Sequence, residues 1–117
     1  SDIQLYGDIK NIDKRVGIIP FNIDNLHHAL VAEALSWEFG IAVRSGCFCA
    51  QPYIQKLLNL SPEEIKKRIE NSKAPHPGVV RISFGFYNQK DEVDLLISSI
   101  KKIVSNKKEY SNKYRFI

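Results

Sequence analysis

At 117 residues, with 44% hydrophobic and 26% charged side chains, the chain has the size and balance of one soluble globular domain. No apolar run approaches bilayer length and no signal-peptide pattern opens the chain, so the expectation is a cytoplasmic domain with no membrane partner. The formal net charge of +4 lies in the second half: residues 1–58 hold 5 basic and 6 acidic side chains, and residues 59–117 hold 12 and 7. No arginine-glycine tract or regular basic-aromatic pattern accompanies that excess, which argues for a solvated surface and against nucleic acid.

Val16-Gly17-Ile18-Ile19-Pro20-Phe21 is a short apolar run that predicts a strand, its proline suited to a sheet edge or a strand end. A helix follows. Asp24 or Asn25 can cap it, Leu26, Leu30, Val31, Ala34 and Leu35 share one face, and Gly40 sits where a left-handed C-terminal residue is wanted. Ile41-Ala42-Val43 then predicts a buried strand. Beyond the cysteines, Tyr53 to Leu60 predicts two helical turns. Ser61-Pro62-Glu63-Glu64 is a capping box that opens another short helix, fading by Asn71. Ala74-Pro75-His76-Pro77-Gly78 supports neither helix nor ladder.

Val79 to Phe84 alternates, with Val80, Ile82 and Phe84 on one face and Val79, Arg81 and Ser83 on the other. If the first face packs on helices, Arg81 projects from the opposite face or toward a partner domain. The last predicted helix has Asn88 as cap, Asp91 and Glu92 in its first turn, and a stripe of Val93, Leu96, Ile97, Ile100, Ile103 and Val104. Residues 106–117 are basic and aromatic and read as a frayed tail, with Lys107, Lys108, Lys113 and Arg115 in solvent. The sum is an α+β fold: a small, mainly antiparallel sheet with helices packed on one face, spanning residues 1–105 and followed by the basic tail 106–117.

The loop Arg44-Ser45-Gly46-Cys47-Phe48-Cys49-Ala50-Gln51-Pro52 holds both cysteines. They are too close in the chain to staple a fold, and both are read as reduced thiols. Gly46 allows the tight turn that would present a sulfur. A thiol is nucleophilic as thiolate, and with an ordinary pKa of about 8.5 it needs a nearby cation to ionise near neutrality. Arg44 is one candidate, and Arg81 is another if its strand lies beside the loop. Cys47 and Cys49 with His27 and His28 do not have zinc-ligand spacing, so no metal is expected. His27 and His28 read as surface histidines, His76 as a loop residue, and Trp37 and Phe39 as packing residues.

With these motifs the chain resembles the C-terminal small domain of the class V aminotransferase-like, pyridoxal-phosphate enzymes, particularly the cysteine desulfurases and selenocysteine lyases of the second group. The resemblance rests on Gly40-Ile41-Ala42-Val43-Arg44, on Arg44-x-Gly46-x-x-Cys49-Ala50, on Val80-Arg81-Ile82-Ser83 and on Tyr87-Asn88 with Glu92 and Val93 beyond. Leu5-Tyr6-Gly7 and Val16 to Asn22 resemble the entry to that domain, so about residues 4 to 104 are covered. The family implies that Cys49 attacks the sulfur of a bound substrate and becomes a persulfide, releasing alanine, and that Arg81 pairs with the substrate carboxylate. Arg44 is the second substrate-binding candidate.

In that family the cofactor lysine follows a histidine well upstream, and this chain has no His-Lys pair. Pyridoxal 5'-phosphate is therefore expected in a longer parent whose cofactor-binding large domain lies outside this sequence. The absence of methionine and the start at Ser1 fit an excised piece, which alone is expected to be inactive. The resemblance further implies a homodimeric parent, a small cysteine-like amino-acid substrate and a sulfur-acceptor protein. Cys47 and Phe48 stand where the best-known desulfurases of the group have two histidines, and the segment from Tyr53 to Gly78 is longer than in many of them. Those departures keep open a class V aminotransferase or lyase without sulfur transfer. From a different class, a free-standing α+β binding module whose basic C-terminal half docks an acidic partner or nucleic acid is the other reading.

Overall fold

The structure, a computed structural model, describes residues 2–8, 10–11, 13, 17–48, 50–71 and 76–114. Its elements run β1 (Ile3–Leu5), β2 (Ile18–Ile23), α1 (His28–Phe39), β3 (Arg44–Gly46), α2 (Gln51–Leu57), α3 (Pro62–Glu70), β4 (Val79–Ser83), α4 (Lys90–Ser105) and α5 (Lys107–Lys113). The strands form one sheet in the order β1-β2-β4-β3, antiparallel at every pairing. The architecture is the α+β arrangement that the sequence predicts.

Alternation along the central strands decides how the sheet faces. Phe21 and Ile23 of β2 and Val80 and Ile82 of β4 enter the core with Leu30, Val31, Ala34 and Leu35 of α1 and with Leu96 and Ile103 of α4. Fully burying such side chains contributes roughly 1.5–3 kcal/mol each, which binds the helices to this face. Pro20, Asn22 and Arg81 belong to the opposite face.

Several local signals are realised as read. Gly40 ends α1 at φ 65°, its N–H donating to the Ser36 carbonyl at 3.1 Å while the Ile41 N–H donates to the Leu35 carbonyl at 2.9 Å. At α3, Ser61 Oγ accepts from the Glu64 N–H at 3.2 Å and Glu64 Oε2 accepts from the Ser61 N–H at 2.7 Å. Asn71 closes that helix.

Other expectations are corrected. Pro20 lies in an interior strand, between β1 and β4. Its carbonyl accepts from the Tyr6 N–H at 3.1 Å, so the position where its own N–H is missing also faces the β1 side, just past the last residue of β1. The short neighbour makes the proline tolerable there. The strand expected at residues 41–43 forms instead at Arg44–Gly46, because pairing with β4 is made there. His27 rather than Asp24 or Asn25 caps α1, its Nδ1 accepting from the Ala29 N–H at 3.2 Å. Gln89 rather than Asn88 caps α4. Trp37 is 78% exposed and donates to Glu33 Oε2 at 3.2 Å, and Ile97 of the α4 stripe is also exposed.

The frayed tail is corrected over its described part. Residues 107–113 form α5, and Tyr110 is only 2% exposed. Tyr110 and Tyr114, four apart and therefore on one helical face, both donate to Glu38 of α1, at 2.7 Å and 3.1 Å. Lys113 pairs with the same carboxylate, and Lys107 reaches Asp2 at 2.9 Å. One acidic side chain on α1 thus collects three donors from the C-terminal segment.

Candidate active site

Antiparallel register brings the two arginines of the sequence reading together. Arg44 of β3 is the direct partner of Arg81 of β4, while Ser45 pairs with Val80 and Gly46 with Val79. Val80 faces the core, so Arg44 and Arg81 share the outer face. Pro20 is the partner of Arg81 on its other side. Among the described residues neither guanidinium has a carboxylate partner, and the Nε of Arg81 is buried without a hydrogen bond. What Arg81 does have is an aromatic neighbour: its Cζ lies over the Phe48 ring, 4.7 Å from the centroid.

Backbone geometry sets that loop against the strands. Gly46 turns at φ 118°, a conformation that favours glycine, and Phe48 adopts φ 53°. The Cys47 carbonyl accepts from the Ala50 N–H at 2.8 Å, and α2 begins at the next residue. Gly78 abuts Gly46 so closely that a Cβ on Gly78 would lie 2.8 Å from the Gly46 backbone. Asn22 holds this junction from β2, its Nδ2 donating to the Gly78 carbonyl at 3.0 Å and to the Tyr6 hydroxyl at 3.2 Å. Cys47 is a free, half-buried thiol in a cleft shared with Gln51, Gln55, Arg68 and His76. Cys49, the predicted nucleophile, lies outside the described residues.

The histidines read as surface groups form a clamp behind the loop. His27 Nε2 and His28 Nε2 lie 3.0 Å and 2.9 Å from the His76 carbonyl. Since His27 Nδ1 accepts from Ala29, its Nε2 carries the proton in the neutral ring and donates to that carbonyl. The Nδ1 of His28 is buried without a partner. Burial pushes the His28 pKa below the ordinary histidine value, with the charges of His27 and His76 acting the same way and the bond to His76 opposing. Among the described residues no group of three or more His, Cys, Asp or Glu side chains could hold a metal ion.

The site therefore joins Arg44, Arg81, Phe48 and the Cys47 backbone at one end of the outer sheet face. Sequence reasoning did not find Phe48 as a neighbour of Arg81, nor Asn22 and Gly78 as the junction. The only signal for Phe48 was its place between two cysteines. For Gly78 it was a glycine just before a strand. β1 to β4 contain no lysine, so these strands supply no amine to which pyridoxal phosphate could be tied.

The fold is thus an antiparallel α+β domain that sets two arginines side by side, next to a segment containing Cys47. Residues 1–96 match the family model described as Aminotransferase class-V, and the chain belongs to that family. Over 100 residues it is 39% identical to a "Probable cysteine desulfurase" of Staphylococcus aureus strain COL, covering 86% of this chain. The corresponding protein of Staphylococcus epidermidis strain ATCC 12228 is 36% identical over the same length. The chain spans 19% of the length of these curated relatives. The apo structure of a cysteine desulfurase from Thermococcus onnurineus NA1 matches with a TM-score of 0.69 and 31% identity, over 88% of this chain and 21% of that one. An Escherichia coli cysteine desulfurase matches with a TM-score of 0.53 and 26% identity, over 80% and 21%. Among the described residues no helix is long and apolar enough to cross a membrane.

Proposed function

We propose that this chain is the substrate-binding and sulfur-accepting part of a cysteine desulfurase that works with pyridoxal phosphate. The observation that carries the reading is the Arg44–Arg81 pair, with Phe48 of the cysteine-containing segment against Arg81 and no carboxylate partner among the described residues. The identity to proteins named cysteine desulfurases supports it.

A guanidinium binds a carboxylate through two parallel, charge-assisted hydrogen bonds. Arg81 takes this role toward the amino-acid substrate, and Arg44 adds a second positive charge on the same face. Such recognition orients the substrate so that its sulfur meets the thiolate of Cys49. Cys49 forms a bond to that sulfur as the carbon–sulfur bond of the substrate breaks. The sulfur stays on Cys49 as a persulfide, the carbon keeps the bonding electron pair, and protonation there yields alanine. Pyridoxal phosphate, tied to a lysine outside this chain, would supply the electron sink for the carbon skeleton.

The test uses the whole protein that contains this chain, loaded with pyridoxal phosphate and given L-cysteine. Mass spectrometry should find one added sulfur atom on Cys49. With a thiol reductant added to discharge the persulfide as sulfide, Cys49→Ala should abolish sulfide release while the cofactor's absorbance is retained, and Cys47→Ala should act more mildly. Undiminished sulfide release from Cys49→Ala would overturn the reading in favour of a class V aminotransferase or lyase, and transamination and lyase assays would then separate those two.

A further inference from the structure

Two like charges directly opposite each other in an antiparallel ladder repel, and a flexible arginine with no acidic neighbour would relieve the strain by swinging into solvent. Arg81 does not. It is half-buried, its Nε is shielded and unpartnered, and its Cζ lies over the Phe48 ring. The negative face of an aromatic ring attracts a guanidinium, so the ring supplies the attraction that no carboxylate provides. Phe48 reaches this position through a backbone at φ 53°, uncommon for a residue with a side chain. Gly46 at φ 118° and the 2.8 Å bond between the Cys47 carbonyl and the Ala50 N–H flank it and hold it there.

We propose that Phe48 is the positioning residue for Arg81: its ring holds the guanidinium in one place on the outer face, so that the terminal nitrogens meet a substrate carboxylate already oriented. The proposal rests on the reading of Arg81 as the carboxylate-binding residue. A bare arginine must lose side-chain freedom when it captures its ligand, and the ring imposes that order in advance. The role assigned to Phe48 runs through its contact with Arg81, so its effect is expected to fall on carboxylate recognition.

The experiment compares alanine, the expected product, with alaninamide, which lacks the carboxylate, as ligands of the whole protein loaded with pyridoxal phosphate. Their dissociation constants are measured by calorimetry for the wild type and for Phe48→Ala, Phe48→Gly and Phe48→Tyr. The wild type should prefer alanine. Phe48→Ala should weaken alanine about three- to tenfold and leave alaninamide within about twofold, the range a partly desolvated cation–aromatic contact covers. Phe48→Tyr should restore the preference. Phe48→Gly relieves the backbone while deleting the ring, so it must lose the preference as Phe48→Ala does, and it carries the test if Phe48→Ala does not fold. An unchanged preference in the ring-deleted variants, or equal weakening of both ligands, overturns the role of Phe48. Arg81→Ala then reports separately, because its collapse of the preference would leave the carboxylate reading standing. A wild type that does not distinguish the two ligands overturns the carboxylate reading and the proposal together.

Discussion

Arg44 and Arg81 stand directly opposite each other where β3 pairs with β4, both on the face turned away from the helices. Register alone puts them there. A ladder partner of opposite charge or an apolar one would stabilise the sheet better, so the pairing is a local cost kept at a place suited to anions.

Arg44→Thr should therefore stabilise the domain by a few tenths to about 1 kcal/mol, since like charges opposite one another destabilise and threonine suits a strand. Thermal unfolding at low and high ionic strength checks it. The gain should shrink as salt screens the wild-type repulsion, while the KM for cysteine in the whole protein should rise. A lower melting temperature for the variant at low salt would contradict this account.

Gly78→Ala should destabilise by roughly 1–3 kcal/mol, the usual cost of forcing atoms into a filled space, because the new methyl group meets the Gly46 backbone at 2.8 Å. Relief requires β3 to move relative to β4. Chemical denaturation measures the loss, and the same shift should raise the KM for cysteine by separating Arg44 from Arg81.

Glu38→Ala should loosen α5 and cost roughly 1–2 kcal/mol near neutrality by leaving the buried Tyr110 hydroxyl without its acceptor. Lys113 first, and Tyr110 next, hold the Glu38 pKa below its usual value of 4.5. A carboxylate depressed in the folded state stabilises at pH values above its unfolded pKa and loses that contribution as pH falls through the folded one. Urea unfolding from pH 7 downward should accordingly show the two proteins converging below about pH 4.5. A difference that persisted unchanged into acid would count against the carboxylate.

His28 acts in a higher pH window with the same sign. Its folded pKa lies below the usual 6.5 because burial disfavours the imidazolium, so the folded state binds fewer protons than the unfolded one and stability falls as pH drops below 6.5. His28→Gln keeps an N–H donor for the His76 carbonyl but does not titrate. Its stability should be flatter than that of the wild type between about pH 7 and 5, and an NMR titration of the His28 ring gives the pKa directly.

How much could be read in advance varies element by element. The capping box at Ser61, the left-handed Gly40 and the alternation in β4 are visible because each is written within a few neighbouring residues. α5 was hidden because Tyr110 and Tyr114 sit among lysines, and only Glu38, far away in the chain, gives their hydroxyls a reason to turn inward. Pro20 suggested an edge strand, but the truncated β1 lets it sit inside the sheet.

The sequence by itself determined the family, through the Arg44-to-Ala50 loop and the Arg81 strand, and it determined the α+β class, because periodicity and caps are local properties of a chain. Tertiary structure decided that Arg44 faces Arg81, that Phe48 covers Arg81, and that His27 and His28 clamp the His76 carbonyl. Those relationships depend on strand register and on which segments pack together, and they are settled by the summed burial of the whole core rather than by any stretch of neighbouring residues.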